Sequence, residues 1–335
     1  MKCKKFRNTA LAVIAFVISS LHAESWHVEM DNDLLFSSDD AYTGGLNITY
    51  LGDELQSSQD GIYNTYSLAM KNLFSFILVD DFSGKNMSAS MGIQEIVITP
   101  KNIEVTQPQY DDTPYVGLLN THYSLFVWDE TVFDQYRIQL GYVGKYSGAK
   151  ELQKSIHILT DSQKANGWKN QLGETFVAGL GYLRGVRSYE YAFSESARFE
   201  WFNSFYGDLG NAYIGGGVGS VVRIGVNMPR NFDVSSGLFQ NAPSKMLNLQ
   251  SRSENLGYSL DIGTSLNGIG YLYLYDEGER QGYDFSTPRW SITSKIGLSL
   301  YAANIHCSLE LFPMFTRDKT IQESSWGRFS FGWNY

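Results

Sequence analysis

The chain has 335 residues, with 26 Lys+Arg against 35 Asp+Glu, 15% aromatics, 18% charged residues and 32 Gly. Aromatics this frequent and charges this sparse exclude a disordered coil, and a net charge of −9 argues against a nucleic-acid partner. Two cysteines, Cys3 and Cys307, exclude a disulfide scaffold and a cysteine-based zinc site, while a mean hydropathy of −0.23 argues against membrane helices but not against a membrane β-barrel.

Residues 1–23 read as a cleaved secretory signal peptide: Lys2, Lys4, Lys5 and Arg7 precede a short apolar stretch that ends at Leu21-His22-Ala23. The expected mature domain, 24–335, keeps 22 basic and 35 acidic residues, a balance of −13. It contains nothing near the roughly 18 continuous apolar residues of a spanning helix.

Period-two alternation runs through the mature chain instead. It is clearest at the end, where Phe329, Phe331, Trp333 and Tyr335 alternate with Arg328, Ser330, Gly332 and Asn334. A soluble sandwich also alternates, but the polar face here carries Arg, Lys and Glu in mid-strand, and the chain ends in a strand with a terminal aromatic. The sequence therefore predicts a transmembrane antiparallel β-barrel of about 12 strands in a Gram-negative outer membrane. The strands fall near 25–34, 43–51, 87–99, 114–128, 134–145, 174–186, 195–207, 212–227, 256–272, 288–301, 304–316 and 326–335. Parity puts outer loops near 35–42, 100–113, 146–173, 208–211, 273–287 and 317–325. It also makes 52–86 and 228–255 periplasmic connections, with a short helix near Leu73–Leu78. The longest outer loop holds a stretch of helical composition, Ala149–Ser162.

The first outer turn gathers oxygen ligands: Asp31, Asn32, Asp33, Asp39, Asp40 and Thr43. Such a set suits a hard cation such as Ca²⁺, and it equally suits an ordinary polar loop. Of the histidines, His27, His122 and His306 fall within strands and read as members of polar networks. His157 falls on the longest outer loop. No Gly-x-Ser-x-Gly elbow or HExxH motif is present.

Four ordered blocks resemble the LpxR-type lipid A 3′-O-deacylase family of Gram-negative outer membranes. They are Asp31-Asn32-Asp33 with Ala41-Tyr42-Thr43-Gly44-Gly45, and Gln94–Pro100 with Asp112-Thr113-Pro114-Tyr115-Val116-Gly117. The third is Leu140-Gly141-Tyr142-Val143-Gly144 with Gly148, Gln153, His157, Gly167-Trp168 and Gln171. The fourth is Arg223–Pro229 with Phe232. The resemblance implies a twelve-stranded barrel that hydrolyses the 3′-O-linked acyloxyacyl ester of lipid A, using Ca²⁺ and a histidine-activated water. His157 matches the base, and Asn32, Asp33 and Thr43 match the residues around the metal and oxyanion. Gln163 stands where the family has an acidic residue, so it enters the expected metal set as a neutral ligand. Asp40 and Thr113 stand where many members have Arg. The implied partner is lipopolysaccharide of the outer leaflet, and a monomer is expected. Rival readings are a degenerate barrel that binds lipopolysaccharide without hydrolysis, a phospholipase-type barrel with Ser147 or Ser155 activated by His157, and a passive porin.

Overall fold

The computed structural model describes residues 25–32, 41–52, 62–75, 85–160, 162–234, 245, 247, 255–284, 288–316 and 325–334. The expected signal peptide lies outside them. The described strands are β1 (Ser25–Asn32), β2 (Ala41–Leu51), β3 (Asn86–Thr99), β4 (Val116–Trp128), β5 (Val132–Val143), β6 (Thr175–Ala192), β7 (Ala197–Gly210) and β8 (Tyr213–Val226). They continue with β9 (Gly257–Leu272), β10 (Trp290–Ala302), β11 (Ile305–Phe312), β12 (Met314–Thr316) and β13 (Trp326–Asn334). Both β11 and β12 pair with β10, so they are one barrel strand interrupted at Pro313, which has no N–H for the ladder. Each strand pairs antiparallel with its neighbours, and β13 pairs with β1. The sheet thus closes into a twelve-stranded barrel with no free edge.

The alternation is inside-out relative to a soluble protein. On β9, Ser259, Asp261, Ser265 and Asn267 are buried in the lumen, while Tyr258, Leu260, Ile262 and Leu266 are about half exposed on the outer face. Apolar side chains facing out and polar ones facing in are what a bilayer around the barrel selects. No helix among the described residues is long and apolar enough to cross a membrane.

One rim, here the upper, carries the connections after β1, β3, β5, β7, β9 and β12; the other connections and both ends of the barrel chain lie at the lower rim. Two helices pack on the outer face of the same two strands. α1 (Ile62–Phe74) buries Met70 and Phe74 against Met87, Ala89, Leu125, Val127 and Tyr136 at the lower end of β3–β5. It precedes the expected helix near Leu73–Leu78, because Met70 and Phe74, four apart, share the face that meets the wall. α2 (Ala149–Thr160) sits near the upper ends of β3 and β4. α3 (Tyr273–Arg280), which the strand alternation did not foreshadow, contributes Leu274 and Tyr275 to an apolar cluster with Ile96, Val116, Leu172, Ile269 and Trp326.

Among the described residues, the lower part of the lumen is filled. The connection after β8 turns into it, which the expected periplasmic reading of 228–255 did not include. Phe232 is fully buried, 5.0 Å from the ring of Phe133. Asn231 receives hydrogen bonds from Arg223 and Arg187. Lys295 bonds Asp233, which puts the same segment in contact with β10. Among the described residues, these contacts fill the lower lumen, where a passive porin would be open.

Candidate functional site

Asp31 and Asn32, adjacent on β1, point to opposite faces of the wall. Asp31 faces the lumen, where Arg328 grips it with two hydrogen bonds of 2.7 and 2.9 Å. That fork braces the end of β1 from behind. Asn32, the last residue of β1, faces outward. Asp33 lies outside the described residues, as do Asp39, Asp40 and Asp161.

Asn32 is registered opposite Gly44 on β2, and Gly44 opposite Val97 on β3. The β2–β3 register shifts between Tyr42 and Gly44, so Thr43 is the extra residue of a bulge. Its side chain is outside the described set. A Cβ on Gly44 would come within 2.9 Å of the Asp31 carbonyl oxygen and 3.7 Å of Asn32 Nδ2. Even a Cβ would press on the β1 backbone here, so only glycine fits this close approach of β2 to β1, and the wall beside Asn32 is bare backbone.

The same outer face continues through Val97 to Gly117 on β4, and there α2 begins. A Cβ on Gly117 would lie 2.2 Å from Ser147 Oγ and 2.5 Å from Ala149 Cβ, so glycine lets the helix rest directly on the strand. Gly144 and Gly148 both take positive φ, +127° and +102°, to turn the chain over the rim. Gly117→Val should lift α2 from the wall. Faster amide exchange over 149–157 checks this, while the barrel strands keep their protection. Val97, Tyr115, Ala149 and Trp168 form a small core under the helix. Trp168 Nε1 donates to Gln153 Oε1 at 2.7 Å, and Tyr115 Oη donates to the Ile103 carbonyl at 2.8 Å. Each of these bonds stays within one connection; Asn166 Nδ2, donating to the Glu104 carbonyl at 3.1 Å, and Asn170 Nδ2, donating to the Thr106 carbonyl at 2.8 Å, join the β3–β4 and β5–β6 connections into one platform.

His157 stands near the far end of α2 and is partly exposed. Its Nδ1 lies 2.5 Å from the backbone oxygen of Gln163. A carbonyl oxygen has no proton, so Nδ1–H is the donor and neutral His157 presents a bare Nε2 lone pair. Gln163 thus reaches His157 through its main chain, and its exposed side chain takes no part in that contact. The serine rivals fare worse. Ser147 is ten positions before His157, about 15 Å along a helix, and Ser155 Oγ donates to the Glu151 carbonyl at 2.8 Å. Neither is placed as a nucleophile for His157.

The amide oxygen of Asn32 and the peptide oxygens of the Thr43 bulge are of the kind a hard cation takes. The one cluster of three possible metal-ligating side chains among the described residues is elsewhere, in the lumen: Asp233, Asp261 and Glu310. Two ammonium groups already lie among these carboxylates, Lys245 at 2.6 Å and Lys295 at 3.0 Å from Glu310, so it reads as an ion-pair knot. Sequence reasoning also passed over Glu95. It sits at an outward position of β3 between Ile93 and Val97 but is only 8% exposed. A charge breaking an apolar alternation was the available signal.

A closed barrel with apolar side chains facing out and polar ones facing in defines the class, an outer-membrane β-barrel. The chain belongs to the family described as "Outer membrane protein LpxR", whose model matches residues 9–335. Among solved structures it is similar to LpxR from Salmonella typhimurium, with a TM-score of 0.72 at 14% identity, over 93% of this chain and 100% of that one. The β domain of the Bordetella autotransporter BrkA also aligns, at 9% identity over 94% of this chain and 100% of that one, with a TM-score of only 0.42. A search of curated protein sequences finds no match.

Proposed function

We propose that this barrel is a lipid A 3′-O-deacylase that works at the outer leaflet from its upper rim. The observation that carries the reading is the orientation of His157: its Nδ1–H is held by the Gln163 carbonyl, which leaves Nε2 to accept a proton. In this mechanism, Nε2 takes a proton from water, and the water oxygen attacks the carbonyl carbon of the 3′-linked ester. The Asn32 amide and the Thr43 hydroxyl hydrogen-bond the developing oxyanion. The bond from that carbon to the sugar oxygen then breaks, and the imidazolium returns its proton to the departing alkoxide. Asn32, Asp33, Thr43 and Gln163 would hold Ca²⁺, which when bound supplies positive charge to a site where negative charge develops. The outward direction of Asn32 and the external seat of α2 suit a substrate that arrives from the lipid side.

Near the same rim, Lys145 and Glu174 pair at 2.8 Å, beside exposed Tyr146 and Phe176. Each holds the other's charge: the hydrogen bond to Glu174 raises the Lys145 ammonium above its usual range, and that to Lys145 lowers the Glu174 carboxyl.

The test is expression in a bacterium whose lipid A is hexa-acylated, followed by mass spectrometry of lipid A with and without a calcium chelator. Loss of the 3′ acyloxyacyl group, blocked by chelation, is the expected result. Unchanged lipid A from membranes that contain the folded barrel would sink the reading in favour of a barrel that binds without cleaving.

A further inference from the structure

Glu95 is an acid on the outer face of a membrane strand. Its register partners, Leu46 on β2 and Leu119 on β4, are apolar, and an acid on that face is destabilising if nothing covers it. What covers it is the start of α2. The Ser147 hydroxyl hydrogen-bonds the Glu95 carboxyl, and a Cβ on Gly148 would be 3.8 Å from Glu95 Oε2. Ser147 Oγ also accepts from the Ala149 backbone N–H at 3.3 Å. Its own hydrogen is therefore free to go to Glu95, which makes Glu95 the acceptor at the end of a short relay from the first turn of the helix.

We infer that Glu95 is a positioning residue: through Ser147 it fastens the first turn of α2 to the barrel wall, and so fixes where His157 stands. His157 lies eight positions after Ala149, about 12 Å along the helix. At that distance a small tilt at the fastened end moves the imidazole by more than the tolerance of a proton transfer. The second carboxyl oxygen, Oε1, has no partner, and Glu151 on the first turn of α2 acts on Glu95 as a like charge. The fastening is thus held against a repulsion that can be removed from the exposed side.

The inference rests on the deacylase reading for its kinetic consequence but not for its structural one, and the experiment keeps the two apart. Amide exchange over 149–157 and deacylation kinetics are measured on the full chain in membranes or detergent for Glu95→Ala, Glu95→Gln, Ser147→Ala and Glu151→Gln. Glu95→Ala and Ser147→Ala should each speed exchange in α2 by tenfold or more, while β-strand protection is unchanged. Both should lower kcat with little change in KM. Glu95→Gln keeps an acceptor oxygen and should recover most of the protection, and Glu151→Gln should slow exchange below the natural chain. If α2 exchanges at the same rate in all four variants, Glu95 does not fasten it and the inference fails. If the exchange pattern appears but no variant, nor the natural chain, cleaves lipid A, the fastening stands and the deacylase reading falls.

Discussion

Replacing His157 with alanine should lower lipid A deacylation by about 10²–10⁴-fold, the range that a positioned general base supplies. The barrel should fold unchanged, since His157 is partly exposed at the end of an external helix and its one described side-chain contact is to a loop carbonyl. Gln163→Ala is the informative companion. The oxygen that holds Nδ1 belongs to the backbone, so the alanine variant keeps the tautomer and should keep most of the turnover at saturating calcium. Any loss should show as a higher calcium requirement, because the amide oxygen proposed as a ligand is gone. Titrating calcium while counting deacylated lipid A by mass spectrometry separates these effects. Undiminished activity in His157→Ala would remove the assigned base while leaving the fold intact.

Most of the wall was legible in the sequence because a barrel strand in lipid has only one solution, apolar out and polar in. β10 alternates without a break and β9 does so as far as Ile269, and their expected limits, 256–272 and 288–301, sit within two residues of the observed ones. β6 was read six residues short, since its ladder shifts register between Arg187 and Tyr189, and a bulge interrupts the period that the eye follows. The path of Met228–Val234 was not legible at all. Nothing in that segment's own pattern says that it enters the lumen; its partners include Arg187, Arg198, Arg223 and Lys295, on four different strands. At the site, the sequence named His157 and Asn32 by residue type and block order. It could not show that Asn32 faces outward, that the bulge falls at Thr43, or that Gln163 acts through its main chain. These depend on register and backbone, which side-chain identity does not encode directly.

The lumen makes the largest stability prediction. Glu200 is fully buried on β7, and three guanidinium groups converge on its one carboxylate: Arg223 at 2.5 Å, Arg187 at 3.1 Å and Arg198 at 3.4 Å. Glu200→Gln preserves the volume but leaves three cations without their anion, in a place where water cannot replace it. Removing one partner of a buried ion pair costs about 3–5 kcal/mol, far more than the ~1 kcal/mol at most expected for Arg230→Ala, which breaks the exposed Arg230–Glu190 pair. All three arginines also bond the segment that fills the lumen, Arg223 to Asn231 Oδ1 at 2.6 Å, Arg187 to the Asn231 carbonyl at 3.0 Å and Arg198 to the Met228 and Pro229 carbonyls, each at 2.6 Å. Repulsion between them should therefore loosen that segment before the wall itself gives way. The expected result is a lower temperature for conversion of the compact barrel to the unfolded form on cold-loaded gels, together with measurable ion conductance in planar bilayers. The natural chain and Arg230→Ala should stay closed. A Glu200→Gln barrel that melts with the natural chain and does not conduct would show that the carboxylate is dispensable, and that Phe232 packed against Phe133 and Phe202 is enough to keep the lumen shut.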